Sequence, residues 1–250
     1  ALAAPDGHLH LTVLEVGSGD SLLIQTPEGR YLLVDGGPSP SRLSDALGRR
    51  LPLFQRSLDW LVVAAVGEGQ IGGLPRVVER FPPAQVLWAG PSLGGYPART
   101  LQRALADLGI QPTLAEAGQR LELGQGATLE VLAVGKRGAV LLLVWNNFRA
   151  LLPVGLDFET MDELSADPEL TQVTALLLAE SGYAPANPPE WIDRLRPQVV
   201  LLSVAADDRE GLPSPETLEA VEGYTLLRTD RNGWIELTTN GEQMWVVVEK

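Results

Sequence analysis

Short apolar strands alternate with amphipathic helices in both halves of this 250-residue chain. Three strands are predicted within residues 8–34, and a four-strand meander within residues 120–154. Strand and helix alternate over residues 58–108 and again over residues 158–228. Because strands and helices must both bury an apolar face, this order predicts an α/β fold with two sheets packed face to face and helices outside.

Local signals predict several boundaries within this pattern. Ser41 or Ser44 is a candidate N-cap for the first helix, and a further helix is predicted over residues 71–81. Asn-Gly at residues 240–241 separates two alternating segments near the end of the chain, which predicts a closing β-hairpin.

The chain is predicted to form one domain over residues 1–250, because no linker rich in Pro, Gly or Ser separates its halves and no tandem repeat is present. It begins at Ala1 with neither Met nor a basic leader, which we interpret as excision from a longer protein. It contains no apolar run near the roughly 18 residues that a membrane-spanning helix needs, so this fragment itself is expected to be soluble.

The residue types present exclude several kinds of chemistry. Cys is absent, which rules out disulfides, thiolate nucleophiles and cysteine zinc sites. Lys and Arg number 19 against 32 Asp and Glu, a formal net charge of −13. Because nonspecific nucleic-acid binding depends on neutralising phosphates, we expect no autonomous DNA-binding surface, although a local basic patch stays open.

Histidine is nearly absent as well. His8 and His10 lie two residues apart on the predicted first strand, so their side chains share a face. Two such ligands without a third rarely make a metal site. We therefore interpret both as solvent-facing strand residues.

Four segments carry recognisable motifs. They read V-G-S-G-D-S at residues 16–21, L-V-D-G-G at residues 33–37, V-V-L-L-S-V-A-A-D-D at residues 199–208 and L-R-T-D-R-N-G at residues 227–233. In this order the segments resemble the C-terminal metallo-β-lactamase-like domain of ComEC-type competence proteins, which take up DNA. The resemblance implies a four-layer αββα sandwich that belongs to a larger membrane protein.

Active members of that family bind one or two metal ions through a T-H-x-H-x-D-H loop followed by I-G-G-L. Here I-G-G-L stands at residues 71–74, and the loop before it, residues 64–70, reads A-A-V-G-E-G-Q. The positions that the resemblance aligns with metal ligands are Ala65, Gly67, Gly69, Gln70, Gly155, Glu180 and Leu212, and we refer to them as the aligned ligand positions. Active relatives would bind Zn or Mn, whereas the resemblance implies that this chain holds no metal, no cofactor and no catalytic residue.

Carboxylates near the same place leave an alternative open. The residual pocket is predicted to contain Asp35, Glu68, Asp157 and Asp208. A rebuilt Mg²⁺ or Mn²⁺ site would use the carboxylate oxygens of Glu68, Asp157, Glu180 and Asp208. Hard cations need several convergent oxygens, however, and these residues lie on separate loops.

Two further motifs are interpreted as turns. Residues 67–72 read G-x-G-x-x-G between a strand and a helix, but no acidic residue ends the next strand as a dinucleotide site requires. Residues 90–94 read G-x-S-x-G, but no His follows Ser92 to serve as its base.

The six Trp residues are candidates for stacking on the bases of single-stranded nucleic acid. Trp60, Trp88, Trp191 and Trp234 lie inside predicted strands or helices, where packing is their ordinary role. The hairpin at residues 145–149 is predicted to expose an aromatic side chain and an Arg toward a partner.

The leading hypothesis is a catalytically inactive domain of a ComEC-type protein on the extracytoplasmic side of the bacterial plasma membrane. Its partners would be the membrane-embedded channel part of the same polypeptide and, weakly, single-stranded or double-stranded DNA, for which it would act as a scaffold or passive guide. The alternatives are an active metal-dependent hydrolase or nuclease with a rebuilt carboxylate site, and a standalone pseudoenzyme that binds a small ligand or a protein.

Overall fold

The computed structural model describes residues 5–90 and 95–250, and within them the chain forms two mixed β-sheets. The strands are β1 (Leu9–Val13), β2 (Leu22–Gln25), β3 (Tyr31–Val34), β4 (Leu58–Val63), β5 (Pro83–Trp88), β6 (Thr113–Leu114), β7 (Arg120–Gly124), β8 (Ala127–Val134), β9 (Ala139–Trp145), β10 (Phe148–Leu152), β11 (Ala175–Leu177), β12 (Val199–Leu202), β13 (Thr225–Arg228), β14 (Ile235–Thr239) and β15 (Met244–Val248). The first sheet has the order β15-β14-β1-β2-β3-β4-β5-β6, and the second has the order β13-β12-β11-β10-β9-β8-β7. The predicted closing hairpin is confirmed as the antiparallel pair of β14 and β15.

Helices connect many of these strands. They are α1 (Pro40–Arg50), α2 (Glu68–Ile71), α3 (Leu74–Arg80), α4 (Tyr96–Asp107), α5 (Phe158–Ala166), α6 (Pro189–Leu195), α7 (Pro215–Ala220) and α8 (Thr229–Asn232), with short 3₁₀ turns at Ala179–Gly182 and Ala184–Ala186. None of the helices in the described part of the chain is long and apolar enough to cross a membrane.

Helix α1 begins earlier than the sequence predicted. Its N-cap is Ser39, not Ser41 or Ser44, because the Ser39 hydroxyl accepts a hydrogen bond from the backbone N–H of Arg42 at 3.4 Å. Pro40 then occupies the first helical position, where its missing N–H costs nothing.

Apolar side chains fill the space between the two sheets. Leu11 and Leu32 of the first sheet face Leu141 and Leu177 of the second, and each is at most 1% exposed. Burial of this layer from both sides holds the two sheets together.

Two further apolar layers lie outside the sheets. Leu43 and Leu47 of α1, together with residues of α3 and α4, pack on the outer face of the first sheet. Leu164 of α5 and Ile192 of α6 pack on the outer face of the second sheet. The four-layer αββα sandwich is thereby confirmed.

The helix predicted over residues 71–81 begins three residues later than predicted. Helix α2 ends at Ile71 and α3 begins at Leu74. Gly72 and Gly73 between them lie so close to the loop after β3 that a Cβ on Gly73 would be 2.5 Å from the Gly36 carbonyl oxygen. The predicted helix is present as α3, and its start was predicted too early because Pro75 has no N–H with which to bond the Ile71 carbonyl oxygen.

A charged network lies on the outer face of the first sheet. The Nδ1 atom of His10 on β1 is 3.1 Å from Oε1 of Glu236 on β14, and its Nε2 atom is 3.1 Å from Oδ2 of Asp6. Glu236 also pairs with Arg50 at the end of α1, and the Arg50 guanidinium lies 3.6 Å from the centre of the Trp234 ring. The prediction that His10 faces solvent was wrong, because hydrogen bonds with Asp6 and Glu236 hold its side chain, which is 17% exposed.

This network shifts the protonation of its members. The hydrogen bond with His10 lowers the pKa of Glu236 to about 2, against burial and with help from Arg50. Burial opposes protonation of His10, but the hydrogen bonds with Glu236 and Asp6 outweigh it and raise the pKa of His10. The glutamate therefore stabilises the fold above the unfolded-state pKa of about 4.3 and loses this effect as the pH falls toward 2, while the histidine contributes fully only below about pH 6.5.

Replacing the central carboxylate tests this network. We expect Glu236→Gln to lower the free energy of unfolding by about 1–2 kcal/mol at pH 5.5, because the charge-assisted hydrogen bonds to Arg50 and His10 are lost. The difference from the wild type should shrink toward pH 2, where the wild-type carboxylate is itself protonated. Urea unfolding followed by tryptophan fluorescence measures both effects. Glu222→Gln, at an exposed position, is the matched control; equal stability of Glu236→Gln and the wild type at pH 5.5 would contradict this account.

Candidate functional site

Loops at the carboxyl ends of β3, β4, β11 and β12 enclose an open cleft of about 750 Å³. The loop after β1, residues 16–19, and Arg137 between β8 and β9 complete its walls. The sequence builds this cleft because each of the parallel strands ends at the same edge of its sheet, where the polar loops that follow can gather.

Hydrogen bonds join the loop after β1 to the loop after β12. The hydroxyl of Ser203 donates to the carbonyl oxygen of Gly19 at 2.7 Å, and the hydroxyl of Ser18 donates to the carboxylate of Asp208 at 2.5 Å. The backbone N–H of Ala205 donates back to the Ser18 hydroxyl at 3.1 Å. Two of the motif segments found in the sequence are therefore in direct contact across the two sheets.

A third motif segment supports the loop after β12 from behind. The hydroxyl of Thr229, at the start of α8, accepts from the backbone N–H of Val204 and donates to its carbonyl oxygen, both at 2.9 Å. Thr229 is buried, so these bonds satisfy backbone groups that water cannot reach.

Glycine allows the loop after β1 to touch the loop after β4. Gly19 has a φ of +136°, and a Cβ there would stand 1.8 Å from the carbonyl oxygen of Gly69. Only glycine fits at position 19, because any side chain would overlap the neighbouring backbone.

Asp35 fixes the start of the loop after β4. Its side chain is fully buried, and its two oxygens accept the backbone N–H groups of Ala64 at 2.8 Å and Ala65 at 3.2 Å. Burial raises the pKa of Asp35, and the charge of Asp20 adds to this effect, while the two backbone hydrogen bonds oppose it. Asp35 therefore supports the loop from below and does not line the cleft.

Two of the carboxylates that line the cleft, Glu180 and Asp208, are engaged by neighbouring groups. Glu180 forms an ion pair with Arg137, Nη1 to Oε1, at 2.5 Å. The carboxylate of Asp208 accepts hydrogen bonds from the Ser18 hydroxyl, at 2.5 Å, and from the backbone N–H groups of Glu210 and Leu212, both at 2.9 Å. Partial burial works against ionisation of Asp208, but these hydrogen bonds outweigh it and lower its pKa.

The structure brings together some of the residues that the sequence singled out. Gly69, Gln70, Glu180, Leu212 and Asp208 all line the cleft. The aligned ligand positions Ala65, Gly67 and Gly155 do not line it, and neither do Asp35, Glu68 and Asp157 of the predicted residual pocket.

Packing explains two of these placements. The carboxylate of Asp157 caps α5, accepting the N–H of Thr160 at 2.9 Å, so it serves the helix. A Cβ on Gly155 would stand 2.4 Å from the backbone nitrogen of Ala139, so this position has no room for the side chain of a ligand unless the neighbouring strand shifts.

The donors present do not fit a divalent cation of the kind the fold family uses. Among residues 5–90 and 95–250 no three His, Cys, Asp or Glu side chains form a group that could hold a metal ion. The carboxylates of Glu180, Asp207, Asp208 and Glu210 line the cleft. Glu180 and Asp208 are engaged, and the guanidinium of Arg137 lies against the first of them. A zinc site needs at least three protein ligands, and a hard-ion site needs several convergent oxygens.

Sequence reasoning missed Arg137, Ser18 and Asp20. Arg137 lies 43 residues from Glu180 in the chain, and only the packing of the two sheets brings the pair together. Asp20 belongs to the V-G-S-G-D-S motif, so its position in a motif was the available signal. No signal in the sequence distinguishes Arg137 from the other arginines.

Several secondary interpretations can also be compared with the structure. The hairpin between β9 and β10 does not expose an aromatic side chain as predicted, since Trp145 and Phe148 are 5% and 3% exposed and pack between the sheets. The G-x-S-x-G motif lies outside the described residues except for Gly90.

Burial changes the ionisation of Asp20. Complete burial raises its pKa to about 7, and the charge of Glu180 adds to the shift. Its Oδ1 atom has no hydrogen-bond partner among the described residues. An acid whose pKa is raised in the folded state costs stability as the pH rises from the unfolded-state value of about 3.9 to the folded value.

We expect Asp20→Asn to gain stability relative to the wild type by roughly 2–4 kcal/mol between pH 4 and pH 8, because the amide cannot ionise. Urea unfolding at a series of pH values measures this difference. Asp45→Asn, at an exposed position of α1, should show no such trend. A difference between Asp20→Asn and the wild type that is the same at both pH values would refute the assignment.

Comparison with known proteins shows which solved structures have a similar fold. No protein-family model matches the sequence, and no curated protein matches it. Solved structures do match. The metallo-β-lactamase-fold protein YhfI from Bacillus subtilis superposes with a TM-score of 0.57 at 12% identity, covering 87% of this chain and 95% of that one. Tm1679, a metal-dependent hydrolase of the β-lactamase superfamily, gives a TM-score of 0.56 at 10% identity, covering 97% and 100%.

Part of a larger protein has a similar fold. CmlA, a diiron β-hydroxylase from Streptomyces venezuelae, matches with a TM-score of 0.57 at 16% identity, covering 94% of this chain. This chain spans about half of CmlA, 54% of its length. At such low identity these similarities concern the fold alone, and the chain has the metallo-β-lactamase fold.

Proposed function

We propose that this chain is a catalytically inactive metallo-β-lactamase-fold domain that holds no metal. The observation that carries the proposal is the ion pair between Arg137 and Glu180 in the cleft. Glu180 is one of the aligned ligand positions, so a guanidinium stands beside a site where active relatives are expected to hold a metal ion.

Electrostatics favours the guanidinium over a metal ion at this place. Two unit charges of the same sign about 4 Å apart repel by about 4 kcal/mol at the effective dielectric of a protein surface, and a divalent ion doubles this. A metal at Glu180 would therefore have to displace Arg137 or tolerate its repulsion. Without a bound metal, water keeps its ordinary pKa and no hydroxide nucleophile forms at neutral pH.

The rest of the proposal concerns the setting of the domain. The four motif segments support membership of a ComEC-type DNA-uptake protein, in which the domain would lie on the extracytoplasmic side beside the membrane channel. The net charge of −13 opposes strong DNA binding, so any role toward DNA would be that of a scaffold or weak guide. The gene sequence upstream of Ala1 tests this part: it should encode several membrane-spanning segments, and a soluble protein there would contradict it.

Metal analysis combined with a nuclease assay tests the inactive state directly. After dialysis against Zn²⁺ or Mn²⁺ and removal of the excess, we expect far less than about one metal ion per chain, the stoichiometry of even a minimal site. We expect no cleavage of single-stranded or double-stranded DNA above background with Mn²⁺. Stoichiometric metal together with DNA cleavage would overturn the proposal.

A variant with restored ligands is the positive control. The variant is Gly67→His/Gly69→Asp/Gln70→His. The backbone leaves room for the Cβ atom at both changed glycines, since a Cβ on Gly69 meets nothing closer than 3.5 Å and a Cβ on Gly67 meets only the Gln70 side chain, which is itself replaced. We expect this variant to bind about one Zn²⁺ per chain, because three His or Asp ligands are the usual protein share of an open zinc site.

The electrostatic argument has its own test in that background. Adding Arg137→Ala to the restored variant should tighten Zn²⁺ binding by at least about tenfold, because the repulsion of the guanidinium is removed. Competition with a chromophoric chelator measures the affinity of both variants. Equal affinities would show that Arg137 does not oppose a cation in this cleft.

A further inference from the structure

A tight turn between α1 and β4 carries two highly exposed apolar side chains. The backbone N–H of Gln55 donates to the carbonyl oxygen of Pro52 at 2.8 Å, so Leu53 and Phe54 are the central residues of this turn. They are 85% and 74% exposed, and no other large apolar side chain in the described part of the chain is more exposed than Phe54. Exposed turns ordinarily use Gly, Pro, Asn, Asp or Ser, so turn formation does not explain this pair.

The residues on either side fix the exposed turn, residues 52–55, to the body of the protein. Leu51 before it and Leu58 after it are buried, at 6% and 1% exposure. The side-chain amide of Gln55 donates to the carbonyl oxygen of Ser57 at 2.6 Å, and the N–H of Leu58 donates to that of Pro82 at 3.2 Å. The two apolar side chains therefore project from an ordered turn, which reduces the entropy lost when a surface binds them.

Arginines lie close to the exposed turn. Arg49 in the last turn of α1 and Arg56 just after the exposed turn are both exposed. Arg80, at the end of α3, lies beside α1, since its Nη2 atom is 4.0 Å from the place where a Cβ on Gly48 would stand. Residues 46–58 contain no acidic residue, although the whole chain has a net charge of −13.

The positive charges of these arginines remain available to a partner. Arg49 is 73% exposed, and its ion pair with Glu249, at 3.6 Å, is of the surface kind that contributes little. Neither Arg56 nor Arg80 forms an ion pair with a residue in the described ranges. The surface around the exposed turn therefore combines an apolar tip with local positive charge.

We propose that the exposed turn and its arginines dock on an anionic lipid surface. Leu53 and Phe54 would enter the boundary between headgroups and acyl chains, and the arginines would lie among the headgroups. The apolar tip and the flanking cations match the two layers of such a surface, whereas a purely ionic partner would leave the tip in water. The proposal is independent of the metal content of the cleft and of the larger protein to which the domain belongs.

The net negative charge of the chain does not prevent this contact. At physiological ionic strength charges are screened over about 8 Å, so the arginines at the point of contact outweigh carboxylates on distant faces. The exposed turn precedes the amino end of β4, while the cleft lies at the carboxyl end of the same strand. Docking through this turn would therefore leave the cleft open to solution.

Cosedimentation with vesicles of equimolar phosphatidylglycerol and phosphatidylcholine tests the docking. We expect a partition constant of about 10³ M⁻¹, roughly tenfold below that of a single myristoyl chain. Leu53→Ser/Phe54→Ser should lower it by about tenfold or more, because the inserted apolar area is lost. Phe158→Ser, at a position 62% exposed on α5, is the matched control and should bind like the wild type. No binding of the wild type, or equal binding to vesicles of phosphatidylcholine alone, overturns the proposal.

Two charge-matched variants test the arginines. Arg49→Gln/Arg56→Gln should weaken binding to the anionic vesicles by about tenfold or more, since each Arg near such a surface contributes roughly fivefold. Arg120→Gln/Arg196→Gln removes the same charge from exposed positions on β7 and after α6, and it should leave binding nearly unchanged. Equal losses in the two variants would show that net charge alone governs binding, which contradicts the proposed contact.

Because the chain lacks Cys, one labelled cysteine can measure insertion. Phe54→Cys carrying an environment-sensitive fluorophore should shift its emission to the blue on anionic vesicles and be quenched by nitroxides on the acyl chains. Phe158→Cys, labelled in the same way, should show neither change. A label at position 54 that stays in water on bound protein would contradict insertion. Tighter binding to polyglutamate than to the vesicles would identify an acidic polypeptide as the occupant and overturn the proposal.

Discussion

The buried carboxylate of Asp35 is the contact on which the architecture of the cleft depends. By accepting the N–H groups of Ala64 and Ala65, it holds the start of the loop that leaves β4, and that loop in turn touches Gly19 through Gly69. The loops after β1 and β12 are then joined through Ser18 and Ser203. These contacts use backbone groups and short polar side chains, so hydrogen bonds within the chain join the loops of the cleft.

The cation in this cleft differs from the one expected in active proteins of the same fold. Active metallo-β-lactamase-fold proteins are expected to concentrate positive charge in a metal ion, whereas here the guanidinium of Arg137 lies against Glu180. A guanidinium is always protonated and supplies hydrogen-bond donors, but it neither accepts a water ligand nor lowers the pKa of water as a metal does. The proposed inactivity rests on this guanidinium, which cannot supply the chemistry of a metal ion.

The sequence predicted the fold well because strand and helix periodicities depend on local burial patterns, which the three apolar layers reproduce. The sequence did not predict contacts between segments that lie far apart in the chain. The pairing of Arg137 with Glu180, the hydrogen bonds that hold His10 and the burial of Trp145 all arise from contacts between elements far apart in the chain.

An anomalous-scattering map from crystals grown with Zn²⁺ tests the central claim most directly. The account predicts no anomalous peak in the cleft and an Arg137 side chain still in contact with Glu180. A strong peak coordinated by Glu180 and Asp208, with Arg137 displaced, would contradict it.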